Sequence, residues 1–148
     1  MMPRMYQAQR PGQSQFVTIR QHRYHLLTWG NADSPQPPLL LLHGWMDVAA
    51  SYQFMVDALT PAFLAQRLVI APDWRGFGHT TGPVAVDHYP FVDYLGDLDA
   101  LLDALAPDRS VDLVGHSMGG NVAMMYAGVR PARVRRLVNL EGLGVPDP

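Results

Sequence analysis

The segment VDLVGHSMGG, residues 111–120, joins a strand pattern to a helical pattern through a turn that carries one serine between glycines. Val111 to Val114 is typical of a strand, and apolar residues recur at helical spacing after the turn: Val122, Met125, Tyr126 and Val129. A strand that passes directly into a helix needs a tight bend. Gly115 and Gly119 permit that bend because they carry no side chain to crowd it. The segment therefore predicts that Ser117 is lifted clear of a sheet. A plain glycine-rich turn that happens to contain serine is the alternative.

Strand and helix patterns alternate on both sides of this turn. Strands are predicted at 16–19, 24–29, 39–42, 68–71, 111–114 and 137–140. Helices are predicted from a cap at Ser51, again from Pro61, over 91–105 and after Ser117. The first two strands are close enough to form a hairpin, and the later ones have short helical connections. This order predicts an α/β fold with a mostly parallel sheet and helices on both faces.

The length of 148 residues favours a single folded unit. Residues 1–14 are polar and contain Pro11-Gly12, which predicts a flexible N-terminal arm. Residues 15–148 are predicted to form a partial core domain. Its pattern stops after about the sixth strand without a further helix, so we expect a truncated core with an open sheet edge.

Composition excludes several classes of function. The formal net charge is -2, which gives no electrostatic reason to expect nucleic acid as a partner. Cysteine is absent, so neither disulfides nor thiolate metal sites are expected. No segment reaches the ~20 apolar residues of a membrane span, and the N-terminus lacks the apolar run of a secretory signal. A cytoplasmic protein with no membrane partner is predicted.

A second turn, His43-Gly44-Trp45-Met46, follows the predicted strand at 39–42. Neighbouring parallel strands open into one crevice at their carboxyl ends, which would bring this turn close to Ser117. The main-chain N–H groups of Trp45 and Met118 are then predicted to form an oxyanion hole for a reaction at Ser117. The alternative is that His43-Gly44 only turns the chain.

Three motifs, residues 43–45, 73–78 and 115–120, together resemble the serine-nucleophile branch of the α/β-hydrolase superfamily. The resemblance covers about residues 15 to 145. It implies a cofactor-free serine hydrolase that acts on a small carboxylic ester or thioester through an acyl-enzyme. Esterases, lipases, thioesterases, carbon–carbon bond hydrolases and perhydrolases share these motifs. Serine at the turn argues against the dehalogenase and epoxide-hydrolase branches, which use aspartate there. The resemblance also implies that Asp73 and Arg75 are structural and hydrogen-bond within their own loop.

The family's order along the chain is serine, then an acid, then histidine. The histidines precede Ser117 or lie beside it, at positions 22, 25, 43, 79, 88 and 116. None occupies the family's position for the base, and the hairpin pair, His22 and His25, is expected at the surface. Glu141 follows the last predicted strand and is a candidate for the acid. The alternative is that Glu141 caps the strand loop while the true acid lies elsewhere.

Two hypotheses follow from these observations. In the first, Ser117 is the nucleophile of a hydrolase that takes its histidine from outside this chain. In the second, the chain is a catalytically inactive fragment. Its open sheet edge would then bind a second copy of itself or a complementing C-terminal half. No metal site is predicted, because the aspartates at 93, 97, 99 and 103 are expected to form a solvated helix face.

Overall fold

Six strands form one sheet in the computed structural model, which describes residues 5–142. In chain order they are β1 (Gln13–Ile19), β2 (His22–Gly30), β3 (Leu39–Leu42), β4 (Leu68–Pro72), β5 (Val111–His116) and β6 (Val134–Leu140). The order across the sheet is β1-β2-β4-β3-β5-β6. Strand β2 is antiparallel to both neighbours, whereas β4, β3, β5 and β6 are parallel. The predicted α/β class with a mostly parallel sheet is confirmed.

Helices cover both faces of this sheet. They are α1 (Gln53–Ala58), α2 (Pro61–Ala65), α3 (Phe91–Leu105) and α4 (Met118–Val129). Alternate residues of β3 show the two layers, because side chains in a strand point to opposite faces. Leu40 and Leu42 pack in the core under α3 and α4, and Leu39 and Leu41 pack in the core under α1 and α2. All four leucines are buried, as expected for a central strand.

The sheet register brings the two predicted turns together. Leu42, the last residue of β3, lies beside Gly115 of β5. His43, the first residue after β3, therefore lies next to His116, the last residue of β5. Two turns far apart in sequence thus meet at the carboxyl edge of the sheet.

Several predicted boundaries shift in the structure. Helix α3 has the predicted bounds, whereas β6 begins at Val134, ahead of its predicted start at Leu137. Ser51 does not cap a helix; it lies inside a 3-10 turn, Ala49–Tyr52, that leads into α1. Thr60 is the residue that caps, and its hydroxyl accepts from the Phe63 N–H at 3.2 Å at the start of α2.

The predicted N-terminal arm is partly incorporated into the fold. Strand β1 begins at Gln13, and the main-chain N–H groups of Gln9 and Arg10 each donate to the carboxylate of Asp57 on α1 at 3.0 Å. This part of residues 1–14 therefore packs against the first helix.

Within residues 5–142, none of the helices has the length and apolar character needed to cross a bilayer.

Candidate active site

Ser117 stands at the junction of β5 and α4 in a strained backbone conformation. Its φ is 50° and its ψ is -116°, a region that residues with a Cβ rarely occupy. Its N–H donates to the carbonyl of Leu140 on β6 at 2.9 Å, and its carbonyl accepts from the Asn121 N–H at 3.0 Å. These bonds hold the turn from both sides, which is how an unfavourable conformation persists.

Glycine is required at two positions of this turn by close backbone contact. A Cβ on Gly119 would overlap the carbonyl oxygens of Leu42 and His43, at the end of β3. A Cβ on Gly115 would overlap the backbone of Gly119 in the first turn of α4. The helix can therefore start directly above the sheet, as the sequence predicts for Gly115 and Gly119.

The turn after β3 lies against Ser117. A Cβ on Gly44 would come within 3.2 Å of the Ser117 Cβ and 3.1 Å of the His116 Nδ1. Beyond Gly44 the chain exposes two large apolar side chains, Trp45 and Met46. The Trp45 ring rests edge-on against Phe77, with ring centroids 5.2 Å apart. The turn that lies against Ser117 thus carries exposed apolar and aromatic side chains.

The candidate oxyanion donors are unengaged in the described structure. Among residues 5–142, no protein acceptor is paired with the main-chain N–H of Trp45 or of Met118. Met118 is the first residue of α4, where the helix leaves its N–H groups free and carries a partial positive charge.

His43 is fully buried and uses both ring nitrogens. Its Nδ1 donates to the Gly44 carbonyl at 2.7 Å, and its Nε2 accepts from the Trp74 N–H at 3.0 Å. Burial lowers the pKa of His43 below its usual range, so the ring is neutral. His43 therefore holds the turn in place and has no free nitrogen with which to accept a proton from Ser117.

Glu141 lies at the end of β6 but does not meet a base at Ser117. Its Oε2 is 3.6 Å from Nε2 of His116, and the Glu141 side chain is 85% exposed. Within the described part of the chain, no side chain forms a hydrogen bond with the Ser117 hydroxyl. The structure thus places Ser117, with Met118 next to it, beside the His43-Gly44 turn that Trp45 follows. Glu141 stays exposed to solvent just after β6.

The loop at 73–78 is held by a buried carboxylate, which agrees with the structural role that the sequence predicts for Asp73. Its Oδ2 accepts from the His79 N–H at 2.8 Å and its Oδ1 accepts from the Ala49 N–H at 2.8 Å. The predicted contact of Arg75 within its own loop is wrong. Its guanidinium leaves the loop and binds Asp97 on α3 through two hydrogen bonds of 2.6 Å.

The aspartates of α3 do not form one solvated face. Asp97 is fully buried and also accepts from Arg20 at 2.9 Å and from the Tyr24 hydroxyl at 2.5 Å. Its position beside two arginines explains why a carboxylate can be buried there. Across residues 5–142 there is no cluster of three or more histidine, aspartate or glutamate side chains that could hold a metal ion.

The expectation of a surface position for His25 is also wrong. His25 is buried on β2, where Nδ1 lies 2.8 Å from Oδ2 of Asp73 and Nε2 lies 2.8 Å from Oγ of Ser14. A hairpin with period-two alternation places Ser14 and His25 on the same face of the sheet, which is the one sequence signal for this contact.

Comparison with known proteins finds one family model and several hydrolases that resemble this chain. The family model described as alpha/beta hydrolase fold matches residues 37–148. A 2-hydroxy-6-oxo-2,4-heptadienoate hydrolase of Pseudomonas putida is 40% identical over 108 residues, which are 73% of this chain and 38% of that protein. Epoxide hydrolase 2 of Siraitia grosvenorii is 40% identical over 104 residues, which are 70% of this chain and 32% of that protein.

Two solved structures share this architecture. The thioesterase domain from the curacin biosynthetic pathway superposes with a TM-score of 0.74 at 29% identity, covering 86% of this chain and 45% of that chain. The epoxide hydrolase VrEH1 of Vigna radiata superposes with a TM-score of 0.78 at 27% identity, covering 92% of this chain and 42% of that chain. The chain therefore spans less than half the length of these proteins.

Proposed function

Because this chain belongs to the α/β-hydrolase fold family, we propose that it carries the nucleophile and oxyanion hole of a serine hydrolase. The observation that carries the proposal is the strained backbone of Ser117, at φ 50°, directly beside Gly44. Strain of this kind is costly and is typical of sites where a side chain must be presented to a reactant.

In the proposed reaction the Ser117 hydroxyl attacks the carbonyl carbon of a small ester or thioester. The carbonyl oxygen becomes anionic and is held by the main-chain N–H groups of Trp45 and Met118. The alcohol or thiol leaves, and water then releases the acid from Ser117. The free N–H groups and the N-terminal position of Met118 on α4 support this assignment.

The proton of Ser117 needs a base. His43 is occupied at both nitrogens, and His116 faces Glu141. We therefore propose that the base comes from outside these 148 residues and that Glu141 orients it. Without that base, catalysis by the oxyanion hole and binding alone is expected to be about 10³–10⁴-fold over water.

The substrate class follows from the identity of residue 117. Serine there supports an acyl-enzyme mechanism over epoxide opening, for which the family's aspartate branch is suited. A second candidate is cleavage of a carbon–carbon bond beside a ketone. The name of one relative, the 2-hydroxy-6-oxo-2,4-heptadienoate hydrolase, favours this candidate.

The test is covalent labelling with a fluorophosphonate, together with turnover of an unactivated alkyl ester such as ethyl butyrate and of a 2-hydroxy-6-oxo dienoic acid. It uses this chain and, where the gene encodes further residues, the full-length protein. In the full-length protein, which contains the proposed base, we expect a label on Ser117 and a loss of turnover of at least about 10³-fold in Ser117→Ala. Ser51→Ala, a change at an exposed serine, is the control. Full turnover in Ser117→Ala would exclude this mechanism.

The alternative is a non-catalytic fragment that associates through β6. No strand pairs with the outer edge of β6 within residues 5–142, and its Val138 and Leu140 are about half exposed. Such an edge favours pairing with a second copy of the chain or with a complementing C-terminal half. Absence of labelling combined with a dimer in size-exclusion chromatography would favour this alternative.

A further inference from the structure

A second serine lies in a hydrogen-bonded chain that Ser117 lacks. The Ser14 Oγ is 2.8 Å from Nε2 of His25, and Nδ1 of His25 is 2.8 Å from Oδ2 of Asp73. Ser14 is exposed on β1, whereas His25 and Asp73 are 4% and 2% exposed. The order from solvent to core is therefore hydroxyl, imidazole, carboxylate.

The neighbours of Asp73 fix the roles of these groups. Its two oxygens accept main-chain N–H groups from Ala49 and His79, each at 2.8 Å, so the carboxylate serves as an acceptor. Nδ1 of His25 must then carry the proton that it shares with Asp73. In the neutral form of the ring, Nε2 is then the acceptor, and Ser14 donates its hydroxyl proton to it. This is the tautomer in which a histidine can act as a general base toward serine.

Ser14 and His25 lie on the paired strands β1 and β2, and Asp73 directly follows β4. Ser14 pairs with Leu27 across the β1–β2 hairpin, which places it diagonal to His25 on the same face. The Asp73 N–H donates to the carbonyl of His25 at 2.9 Å, so the acid and the base are also joined through the main chain. Sites on strands are held more precisely than sites on loops.

A cavity of about 270 Å³ opens beside these three residues. Its apolar lining comes from Leu27, Val48 and Ala50, and His79 lies at its edge with its ring 5.0 Å from that of His25. The volume is close to the lower end of small-molecule sites, which run from ~300 to ~1,000 Å³. The cavity therefore suits a short acyl group.

We propose that Ser14 is a second, His25-activated nucleophile that takes an acyl group from activated short-chain esters. The Ser14 Oγ bonds to the carbonyl carbon while its proton passes to Nε2 of His25. The bond from that carbon to the leaving oxygen breaks, and the leaving group takes the proton from His25. Water then attacks the acyl-Ser14 ester and releases the acid. Asp73 is a positioning residue that keeps His25 in its reactive tautomer.

The reaction is restricted to activated esters because the two main-chain donors that point at Asp73 are occupied. The N–H groups of Ala49 and His79 are already bound to Asp73. They are therefore not free to bind an oxyanion, and a good leaving group must lower the barrier instead. An aryl ester such as p-nitrophenyl acetate meets this requirement.

The experiment uses the Ser117→Ala chain, so that its outcome is independent of the function proposed for Ser117. The protein is treated with p-nitrophenyl acetate, and the acetylated peptide is identified by mass spectrometry. The sequence contains no lysine, so no lysine amine competes for the acetyl group. We expect acetyl on Ser14.

Three further variants in the Ser117→Ala background make this result specific. Adding Ser14→Ala removes the acetyl group from this site, whereas adding Thr18→Ala, a change at an exposed position of the same strand, leaves acetylation unchanged. Adding His25→Gln slows acetylation by about 100-fold or more, because a positioned general base contributes ~10²–10⁴.

Thermal unfolding by circular dichroism accompanies each variant, since His25 is buried and its replacement can unfold the chain. The labelling of Ser14 itself needs no substitution in the core, because Ser14 is exposed. Absence of acetyl on Ser14 in the folded Ser117→Ala protein would overturn the proposal. So would acetylation that proceeds at the same rate in a folded His25→Gln variant.

Discussion

The main-chain N–H of Trp74 donates a hydrogen bond to Nε2 of His43, 3.0 Å away. The Trp74 indole N–H donates a second hydrogen bond, to the carbonyl oxygen of His43 at 3.1 Å. These two bonds join the turn after β3 to the loop after β4. The turn beside Ser117 is thus fixed by a buried, neutral histidine.

The burial of His43 makes stability depend on pH. Its pKa is lowered in the folded chain, whereas in the unfolded chain it is about 6.5. The unfolded state therefore binds more protons as the pH falls below ~6.5, and the free energy of unfolding decreases by up to ~1.4 kcal/mol per pH unit. Urea unfolding at pH 7, 6 and 5 measures this slope. A His43→Gln variant is expected to be less stable but to lose this part of the slope; an equal slope in both would contradict the assignment.

Backbone strain at Ser117 predicts that Ser117→Gly stabilises the fold. A strained φ/ψ costs roughly 1–3 kcal/mol, and glycine removes it at an entropic cost of roughly 0.5–1 kcal/mol. We expect a net gain of about 1 kcal/mol in the free energy of unfolding, measured in urea. Ser117→Ala keeps the Cβ and serves as the control with little change. A Ser117→Gly protein that is less stable than Ser117→Ala would show that the turn is not strained.

Replacing two glycines of α4 by alanine is predicted to change the stability of the protein in opposite directions. A Cβ on Gly119 overlaps the carbonyls of Leu42 and His43, whereas a Cβ on Gly128 meets nothing within 4 Å. Gly128→Ala should stabilise the helix by about 0.5–1 kcal/mol, because alanine is the better helix former. Gly119→Ala should destabilise the protein by several times that amount, because backbone must move. Thermal unfolding compares the two, and equal effects would rule out the close packing of α4 on β3.

Because Asp97 is buried, we expect that removing its charge strongly lowers the free energy of unfolding. Asp97→Asn removes the fully buried carboxylate that pairs with Arg75 and leaves Arg75 only its ion pair with Asp93, and breaking a buried ion pair costs about 3–5 kcal/mol. Asp103→Asn, on the same helix, is the matched control, because Asp103 is 59% exposed in its pair with Arg133. That exposed pair is expected to contribute about 1 kcal/mol or less. Chemical denaturation of both variants checks the difference, and comparable losses would mean that the Arg75–Asp97 pair is not a buried one.

Much of the candidate site was predictable because its residues are set by local pattern. An apolar run followed by a glycine and a histidine occurs at both Leu39–Leu42 and Val111–His116, so the two turns could be placed at strand ends. Helix α3 could be bounded because its leucines repeat at helical spacing and a proline precedes it. Each of these signals lies within a few residues of the feature it predicts.

The partners of the polar side chains could not be predicted in the same way. Arg75 binds Asp97, 22 positions away, and His25 binds Asp73, 48 positions away. Whether such a side chain is buried depends on which distant element packs beside it, and no local pattern records that. Local sequence was enough to set the alternation of strands and helices and the place of Ser117 within it. Which carboxylates and histidines meet was set by the folded chain, because those contacts require the strands to pair and the helices to pack.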